Sequence, residues 1–239
     1  MLRAVIFDFD GLIFDTETPE FQAWAAVYRS HGVELTLPEW LPCIGTANIL
    51  DPHELLETKT GKSLDRERIR SERHVVIDVM HAQTQPLPGV AEAIASAQEM
   101  GLKLGVASSS SHPWVEGWLE KFGLLGHFSS IQCREDVERV KPDPALYLRC
   151  LEKLNVRAEE AVALEDSLNG LRAARAAGIF TIVVPNSITR HLPLDEAELL
   201  LESLMDLSLG SLLEQHHARK GDPHPSPVPS HDRAAITKK

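Results

Sequence analysis

Asp8 directly follows the short apolar run at residues 5–7, and Asp10 comes two residues later. A carboxylate at the end of a buried strand is costly to desolvate unless a cation or a hydrogen-bond donor pairs with it. Further polar residues follow later apolar runs: Ser108, Ser109, Ser110, Lys141, Glu165 and Asp166. Together these residues supply the acids, hydroxyls and ammonium group that phosphoryl transfer uses.

Each of these groups has a defined use in such a reaction. Two or three carboxylates can hold Mg²⁺, which usually keeps several waters and accepts a phosphate oxygen as a ligand. One carboxylate can act as the nucleophile and form an aspartyl-phosphate, while a second can protonate the leaving oxygen and later activate water. Serine hydroxyls and the N–H groups at a helix start can bind phosphate oxygens. A lysine can offset the charge of the transferring group.

Five short apolar runs predict the strands that position these groups, at residues 4–9, 102–107, 130–133, 161–164 and 181–184. Helical patterns lie between them, at residues 90–100, 144–155 and 168–177. Strands that alternate with helices predict an α/β fold with a mostly parallel, Rossmann-like sheet. Ligands of such sheets bind beyond the carboxyl ends of the strands. The candidate residues all follow strand ends, so we expect them to meet at one edge of the sheet.

Residues 17–83 differ from the rest, because they contain helical patterns and no convincing strand. We expect them to form a small helical cap that is inserted into a Rossmann-like core of residues 1–16 and 84–215. Residues 216–239 have little apolar content and include 223-PHPSPVPS-230. Such a segment cannot offset its ordering entropy by burial, so we expect a disordered C-terminal tail.

The composition narrows the range of partners. A formal net charge of −11 over 239 residues argues against nucleic acid or an anionic membrane surface as the main partner. No run approaches the ~18 apolar residues of a membrane span. Cys43, Cys133 and Cys150 are too few for a disulfide framework, which favours a cytoplasmic protein. We expect a small phosphorylated metabolite as the partner, and one core with one cap can work as a monomer.

Four short motifs resemble, in the same order, those of the haloacid dehalogenase-like (HAD) superfamily. They are Asp8-Phe9-Asp10-Gly11, Ser108, Lys141-Pro142 and Glu165-Asp166. The helical insert is similar to that of the β-phosphoglucomutase-like branch, and the likeness covers residues 1–213. The resemblance implies a Mg²⁺-dependent hydrolase with a Rossmann-like core and a helical cap.

The resemblance also implies how the acids act. Asp8 would be the nucleophile and a metal ligand. Asp10 would be the general acid/base and would give the metal its main-chain carbonyl. Asp166 would ligate Mg²⁺, and Glu165 would either ligate it or hold a metal-bound water. Gly11 would permit the turn that leads into the cap.

The same resemblance implies that Ser108 and Lys141 would bind the phosphoryl group and that Ser109 and Ser110 would add contacts to it. For Ser109 and Ser110 the alternative is that they are ordinary helix-start serines. Trp114 and Trp118 lie one helical turn apart, and we interpret them as half-buried packing residues. We interpret Glu20, Trp24 and Cys43 as packing and surface residues of the cap.

Three activities remain open for this set of residues. The dehalogenases of the superfamily lack the second acid that Asp10 provides, so phosphoryl chemistry is favoured. Sugar-phosphate mutases of this branch carry an arginine in the cap loop and a histidine early in the first cap helix. Here the loop reads 43-CIGTANILD-51 and the helix position is Glu20. We therefore favour hydrolysis of a small phosphomonoester, with a mutase and a phosphate- or partner-binding protein as the alternatives.

Overall fold

The computed structural model describes residues 1–44, 50–82 and 84–210. Leu2–Leu207 form one compact unit, and Met1 and residues 208–210 lie outside it. The elements described below all belong to this unit. The predicted tail at residues 216–239 lies outside the described residues, so its disorder stays a prediction.

Within the described residues, six parallel strands form one sheet in the order β3-β2-β1-β4-β5-β6. The strands are β1 (Ala4–Phe7), β2 (Lys103–Ala107), β3 (Ser130–Gln132), β4 (Ala161–Glu165), β5 (Phe180–Val183) and β6 (Leu199–Leu200). Every residue of β1 and β4 is buried, as expected for central strands of a parallel sheet.

The helices of the described chain are α1 (Glu17–Ser30), α2 (Leu37–Trp40), α3 (Pro52–Thr60), α4 (Arg66–His81), α5 (Val90–Glu99), α6 (His112–Lys121), α7 (Ala145–Leu154) and α8 (Leu168–Ala176). Buried residues of α7 and α8 form one apolar cluster with Ala4 and Ile6 of β1. Burial of this surface stabilises the sheet by about 25 cal/mol per Å² of apolar area.

The strand register decides which residues meet at the carboxyl edge of the sheet. Phe7, the last residue of β1, pairs with Val106 of β2 on one side and with Leu164 of β4 on the other. The three strands therefore end at nearly the same level. Residues 8–10, 108–110 and 165–166 leave the sheet together at this edge.

The segment from α1 to α4 contributes most residues of a further apolar cluster, which also includes Ile188 beyond β5. Trp24, Tyr28, Trp40, Leu56 and Ile69 belong to one buried cluster. The described residues of 17–83 contain no strand, as the sequence pattern predicts. The Asp65 side chain accepts hydrogen bonds from the first turn of α4 and caps that helix. The assignment of residues 17–83 to a separate cap stays a prediction.

The α/β fold and the five predicted strands are confirmed, with ends that differ by one or two residues. Strand β1 was expected to reach Phe9, but it ends at Phe7, because the Phe9 carbonyl instead accepts hydrogen bonds from the N–H groups of Ile13 and Phe14. This turn bends the chain away after Asp8. Strand β6 was missed, since two residues give no periodicity. The helices in the described ranges are all too short or too polar to cross a lipid bilayer.

Candidate active site

Three buried acids form the centre of the candidate site. Asp8 follows β1, Glu165 is the last residue of β4, and Asp166 comes next. One carboxylate oxygen from each lies within 4.8 Å of the other two. Asp8 is 6% exposed, Glu165 0% and Asp166 1%. The sheet thus brings together acids that are more than 150 residues apart in the chain.

Lys141 lies among these acids. Its Nζ donates hydrogen bonds to Asp8 Oδ1 and, at 2.6 Å, to Glu165 Oε1. Its side chain is only 5% exposed. Tyr147, in the first turn of α7, donates its hydroxyl to the same Glu165 oxygen, and its ring centroid lies 5.1 Å from the ammonium. The sequence pattern places Tyr147 on the buried face of α7 but does not reveal this contact.

The negative charges of the cluster outnumber its cation. Burial, opposed by Lys141 and reinforced by Glu165 and Asp10, raises the pKa of Asp8 to about 8. Burial also raises the pKa of Asp166 well above its usual value. Burial alone would lower the pKa of Lys141, but Asp8 and Glu165 outweigh it and raise the value. Lys141 therefore stays charged, and full ionisation of the three acids leaves two negative charges without compensation.

The acids fit a divalent metal ion. Asp166 Oδ1 is buried and has no hydrogen-bond partner among the described residues. A buried polar atom without a partner is costly, and coordination would satisfy it. The donors are all carboxylate oxygens, which hard cations such as Mg²⁺ and Ca²⁺ prefer. A bound dication would also balance the two uncompensated charges.

Asn186 holds the other oxygen of Asp166. Its Nδ2 donates to Asp166 Oδ2 at 2.8 Å and to the main-chain oxygen of Gly11 at 3.3 Å. Gly11 has φ +86°, and a Cβ there would lie 2.2 Å from Asp166 Oδ2. Only glycine fits this approach. Sequence reasoning missed Asn186, although it follows β5 at the same edge of the sheet as the other candidates.

The start of α8 packs tightly against Glu165. Ser167 caps this helix, since its hydroxyl accepts a hydrogen bond from the Gly170 N–H at 3.1 Å. A Cβ on Gly170 would lie 1.9 Å from Glu165 Oε2. That oxygen also accepts longer hydrogen bonds from the Asp166 N–H and the Ser167 hydroxyl. Both Glu165 oxygens thus accept hydrogen bonds from the protein, which sets the orientation of this side chain.

Asp10 accepts three hydrogen bonds from side chains near α6. Ser110 Oγ and Ser108 Oγ donate to Asp10 Oδ2 at 2.7 and 3.2 Å. Trp114 Nε1 donates to Asp10 Oδ1 at 2.9 Å. Trp114 and Trp118 are half-buried, as predicted. The contact of Trp114 with a candidate acid could not be foreseen, because 104 residues separate the two in the chain.

A cavity of about 320 Å³ opens beside these acids. Its lining includes most of the predicted site residues: Asp8, Asp10, Ser109, Lys141 and Asp166. Ser108 is fully buried and contacts Asp10, and Glu165 contacts Lys141. Glu17, Ser167 and Asn169 also line the cavity and were not predicted.

A second cavity of about 320 Å³ lies in the helical segment and shares Glu17 and Ile44 with the first. Arg73 Nη1 donates to Glu20 Oε2 at 2.5 Å, and its guanidinium lies 5.2 Å from the Trp24 ring. Burial, together with the nearby acids Asp10, Glu20 and Asp15, raises the pKa of Glu17 to about 7. The lining comprises Glu17, Glu20, Trp24, Trp40, Cys43, Ile44, Pro52 and Arg73. Glu20, Trp24 and Cys43, which the sequence analysis interprets as packing and surface residues of the cap, thus border a cavity.

The order and placement of the acids match a known protein family. The family model described as "Haloacid dehalogenase-like hydrolase" matches residues 5–184. The chain belongs to this family. The resemblance on which the sequence predictions rest is therefore confirmed.

Curated relatives of the family match nearly the whole chain. "Putative phosphatase YhcW" of Bacillus subtilis (strain 168) is 41% identical over 214 residues, which cover 90% of this chain and 97% of that protein. "Hexitol phosphatase B" of Escherichia coli (strain K12) is 35% identical over 219 residues, or 89% of this chain and 97% of that one.

A solved structure of this family has the same fold. The crystal structure of CbbY from Rhodobacter sphaeroides in complex with phosphate superposes with a TM-score of 0.67 and 31% identity. The match covers 89% of this chain and 99% of that one. Together, these comparisons show the Rossmann-like α/β fold of the haloacid dehalogenase-like hydrolases.

Proposed function

We propose that this protein is a Mg²⁺-dependent phosphatase that hydrolyses a small phosphomonoester through an aspartyl-phosphate on Asp8. The observation that carries the proposal is the convergence of Asp8, Asp166 and Lys141 at one edge of the sheet. Asp8 is buried beside an ammonium and an unpartnered carboxylate oxygen, a setting that suits the nucleophile of a phosphoryl transfer and supports the proposal. The names of the relatives that match over most of their length support a phosphatase.

In the first step, the Asp8 carboxylate attacks phosphorus in line with the departing oxygen. Lys141 offsets charge on the phosphoryl oxygens, and Ser109 hydrogen-bonds them. The Ser108 hydroxyl, which was expected to do the same, instead donates to Asp10 Oδ2. When it is bound, Mg²⁺ supplies a Lewis acid that offsets further charge at the acidic cluster. Asp166 and Asp8, together with the Asp10 main-chain oxygen, are the proposed ligands, and Glu165 is either a ligand or the holder of a metal-bound water.

Asp10 moves the proton in both steps. It protonates the leaving alkoxide as Asp8 becomes phosphorylated, so the alcohol departs neutral. As a carboxylate it then takes a proton from water, which attacks phosphorus and releases inorganic phosphate from Asp8. Asp10 lines the same cavity as Asp8 and Lys141, which places it within reach of a bound ester.

We infer a cap role for residues 17–83, because the second cavity offers room for the alcohol part of the ester beside the first. Closure of such a segment would exclude bulk water from the acids. The three free cysteines support a cytoplasmic location for the protein. A monomer would be active, because Asp8, Asp166 and Lys141 come from one chain.

The second cavity favours a monophosphate over a bisphosphate substrate. Arg73 is its one cation among the described lining residues, and Glu20 already neutralises it. In the loop at residues 43–51, no basic residue is present, and its positions 45–49 lie outside the described residues. A second phosphate would therefore meet a paired guanidinium and two glutamates. This charge balance disfavours the mutase alternative.

Glu20→Gln is expected to relax this selectivity. The freed Arg73 can then pair with a second phosphate, and a charge-assisted hydrogen bond contributes about 1.5–3 kcal/mol. The affinity for a second phosphate is measured by competitive inhibition of p-nitrophenyl phosphate hydrolysis, with glucose 1,6-bisphosphate and glucose 6-phosphate as inhibitors. The Ki of the bisphosphate should fall about tenfold, and that of the monophosphate should hardly change. Glu54→Gln, which removes an exposed partner of Arg66, is the matched control. An unchanged Ki ratio in Glu20→Gln would contradict the prediction.

Metal removal tests the phosphatase proposal directly. EDTA should abolish the release of phosphate from p-nitrophenyl phosphate, and excess Mg²⁺ should restore it. Mg²⁺ at 100 times its dissociation constant should stabilise the wild-type protein by about 2.7 kcal/mol. Asp166→Asn should lose both the activity and this stabilisation, as thermal unfolding with and without Mg²⁺ would show. Turnover that persists in EDTA would refute the metal-dependent proposal.

A further inference from the structure

The hydrogen bonds of Asp10 occupy its two oxygens unequally. A carboxylate oxygen has two acceptor sites. Asp10 Oδ2 accepts from both Ser110 and Ser108, so both of its sites are filled. Asp10 Oδ1 accepts from Trp114 alone, at 2.9 Å. Among the described contacts, the acceptor site that stays open therefore belongs to Oδ1, and this site must carry the proton during catalysis.

Trp114 determines where that open site points. The indole N–H takes one of the two acceptor directions of Oδ1, so the other direction is set by the position of the ring. Ser108 and Ser110 fix the opposite oxygen and prevent the carboxylate from turning about its own axis. Three donors from one loop and helix thus hold a side chain that comes from the end of β1.

The ring of Trp114 is itself held by an aromatic cluster, which comprises Phe14, His81, Trp114, Trp118 and Phe122. Its ring centroid lies 6.0 Å from Phe14 and 5.8 Å from both His81 and Trp118. Phe14 also fixes the chain just after Asp10, because its carbonyl accepts the Gly11 N–H at 2.7 Å. The same aromatic cluster therefore supports the chain next to Asp10 through Phe14 and the Asp10 carboxylate through Trp114. A ring packed on several sides is a rigid support for a hydrogen bond.

We propose that Trp114 is a positioning residue that directs the proton-transfer site of Asp10 toward the leaving oxygen. The inference rests on the proposed phosphatase activity, with Asp10 as its acid/base. Trp114 touches neither phosphorus nor the leaving group, and acts only through Asp10. The contribution of Trp114 to the rate should therefore be larger when the leaving oxygen is more basic.

Substrates with different leaving groups separate this role from a structural one. A basic leaving oxygen departs only with a proton, whereas a weakly basic one departs as an anion. The probes are 4-methylphenyl, 4-nitrophenyl and 2,4-dinitrophenyl phosphate, whose leaving oxygens become progressively weaker bases. The parameter is kcat/KM, which covers the steps up to the transfer of the phosphoryl group to Asp8. Hydrolysis of the phosphoenzyme does not enter it.

Trp114→Phe keeps an aromatic ring in the cluster and removes the N–H donor. We expect kcat/KM to fall roughly 10- to 100-fold with 4-methylphenyl phosphate, a part of the 10²–10⁴ that acid–base catalysis contributes. With 2,4-dinitrophenyl phosphate it should fall less than about threefold. Trp118→Phe makes the same change in the same cluster without a contact to Asp10, and should affect the three substrates equally. Equal losses in Trp114→Phe, or the same pattern in Trp118→Phe, would overturn the inference.

A second measurement tests the hydrogen bond between Trp114 and Asp10 without a substitution at Trp114. In the ¹H–¹⁵N spectrum of the folded protein, Asp10→Asn should shift the indole N–H signal of Trp114 and leave that of Trp118 in place. An unmoved Trp114 signal would also overturn the inference. Failure of the proposed function looks different: wild-type protein would then release no phosphate from any of the three probes, and the inference would fall with it.

Discussion

Asp8→Asn is expected to lower kcat/KM for p-nitrophenyl phosphate by about 10⁴ or more while the protein remains folded. The amide oxygen of asparagine is a poor nucleophile, and removal of a nucleophile that forms a covalent intermediate costs several orders of magnitude. Steady-state kinetics on p-nitrophenyl phosphate measures the loss. Rapid acid quench with ³²P-labelled substrate should trap a phosphoenzyme in the wild-type protein and none in the variant.

The fold should tolerate this change for an electrostatic reason. Burial raises the pKa of Asp8 to about 8 in the metal-free protein. A carboxyl group whose pKa is raised on folding contributes stability at low pH, and this contribution is lost as the pH rises through the folded value. Asparagine has no such titration, so Asp8→Asn in EDTA should be at least as stable as the wild-type protein at pH 8. Thermal unfolding followed by circular dichroism measures it.

A matched control isolates the role of Asp8. Asp143 lies in the same loop as Lys141, and its side chain accepts a hydrogen bond from the Ala145 N–H at 3.0 Å. Asparagine can make the same cap, so Asp143→Asn should keep kcat/KM within about threefold. Retention of more than about 1% of the wild-type kcat/KM by pure, folded Asp8→Asn would refute the assignment of the nucleophile.

Lys141→Met is expected to lose both activity and stability. Its ammonium is the buried cation that contacts Asp8 and Glu165, and breaking a buried ion pair by removal of one partner costs about 3–5 kcal/mol. Chemical denaturation at pH 8 in EDTA measures this loss. Phosphatase activity should fall at least about 10³-fold, because the charge on the transferring group is no longer offset.

Two conditions should restore part of the stability of Lys141→Met. At pH 5 more of the buried carboxyl groups are protonated, so fewer negative charges remain uncompensated. At pH 8 a divalent cation should replace the missing positive charge, and Mg²⁺ should stabilise the variant without restoring the full activity.

An ion-paired lysine elsewhere provides the comparison. Lys59 donates to Glu39 at 2.5 Å but is 25% exposed. Partly exposed pairs contribute about 0–1 kcal/mol, so Lys59→Met should cost little stability and no activity. Equal stability losses in the two variants, or a Lys141→Met protein as stable as wild type at pH 8, would contradict the central role of this ammonium.

Most of the secondary structure and the candidate acids can be predicted from the amino-acid sequence. Residues 161–164, for example, form a short run of consecutive apolar residues, and such a run is enough to predict a buried strand. Because parallel strands expose their carboxyl ends at one edge, the convergence of Asp8, Lys141 and Asp166 followed from strand positions alone. Five of the six strands and the helices at residues 90–100, 144–155 and 168–177 were predicted from such patterns. The family was predicted from its four short motifs.

The other side chains that support those acids are visible only in the folded protein. Asn186 on Asp166, Trp114 on Asp10 and Arg73 on Glu20 are contacts between residues that lie 20, 104 and 53 positions apart. The hydrophobic periodicity of the sequence does not predict these contacts, because each contact depends on how a helix or loop packs against its neighbours. Local patterns specify which segments are buried, whereas the partners of a buried polar group follow from packing in three dimensions.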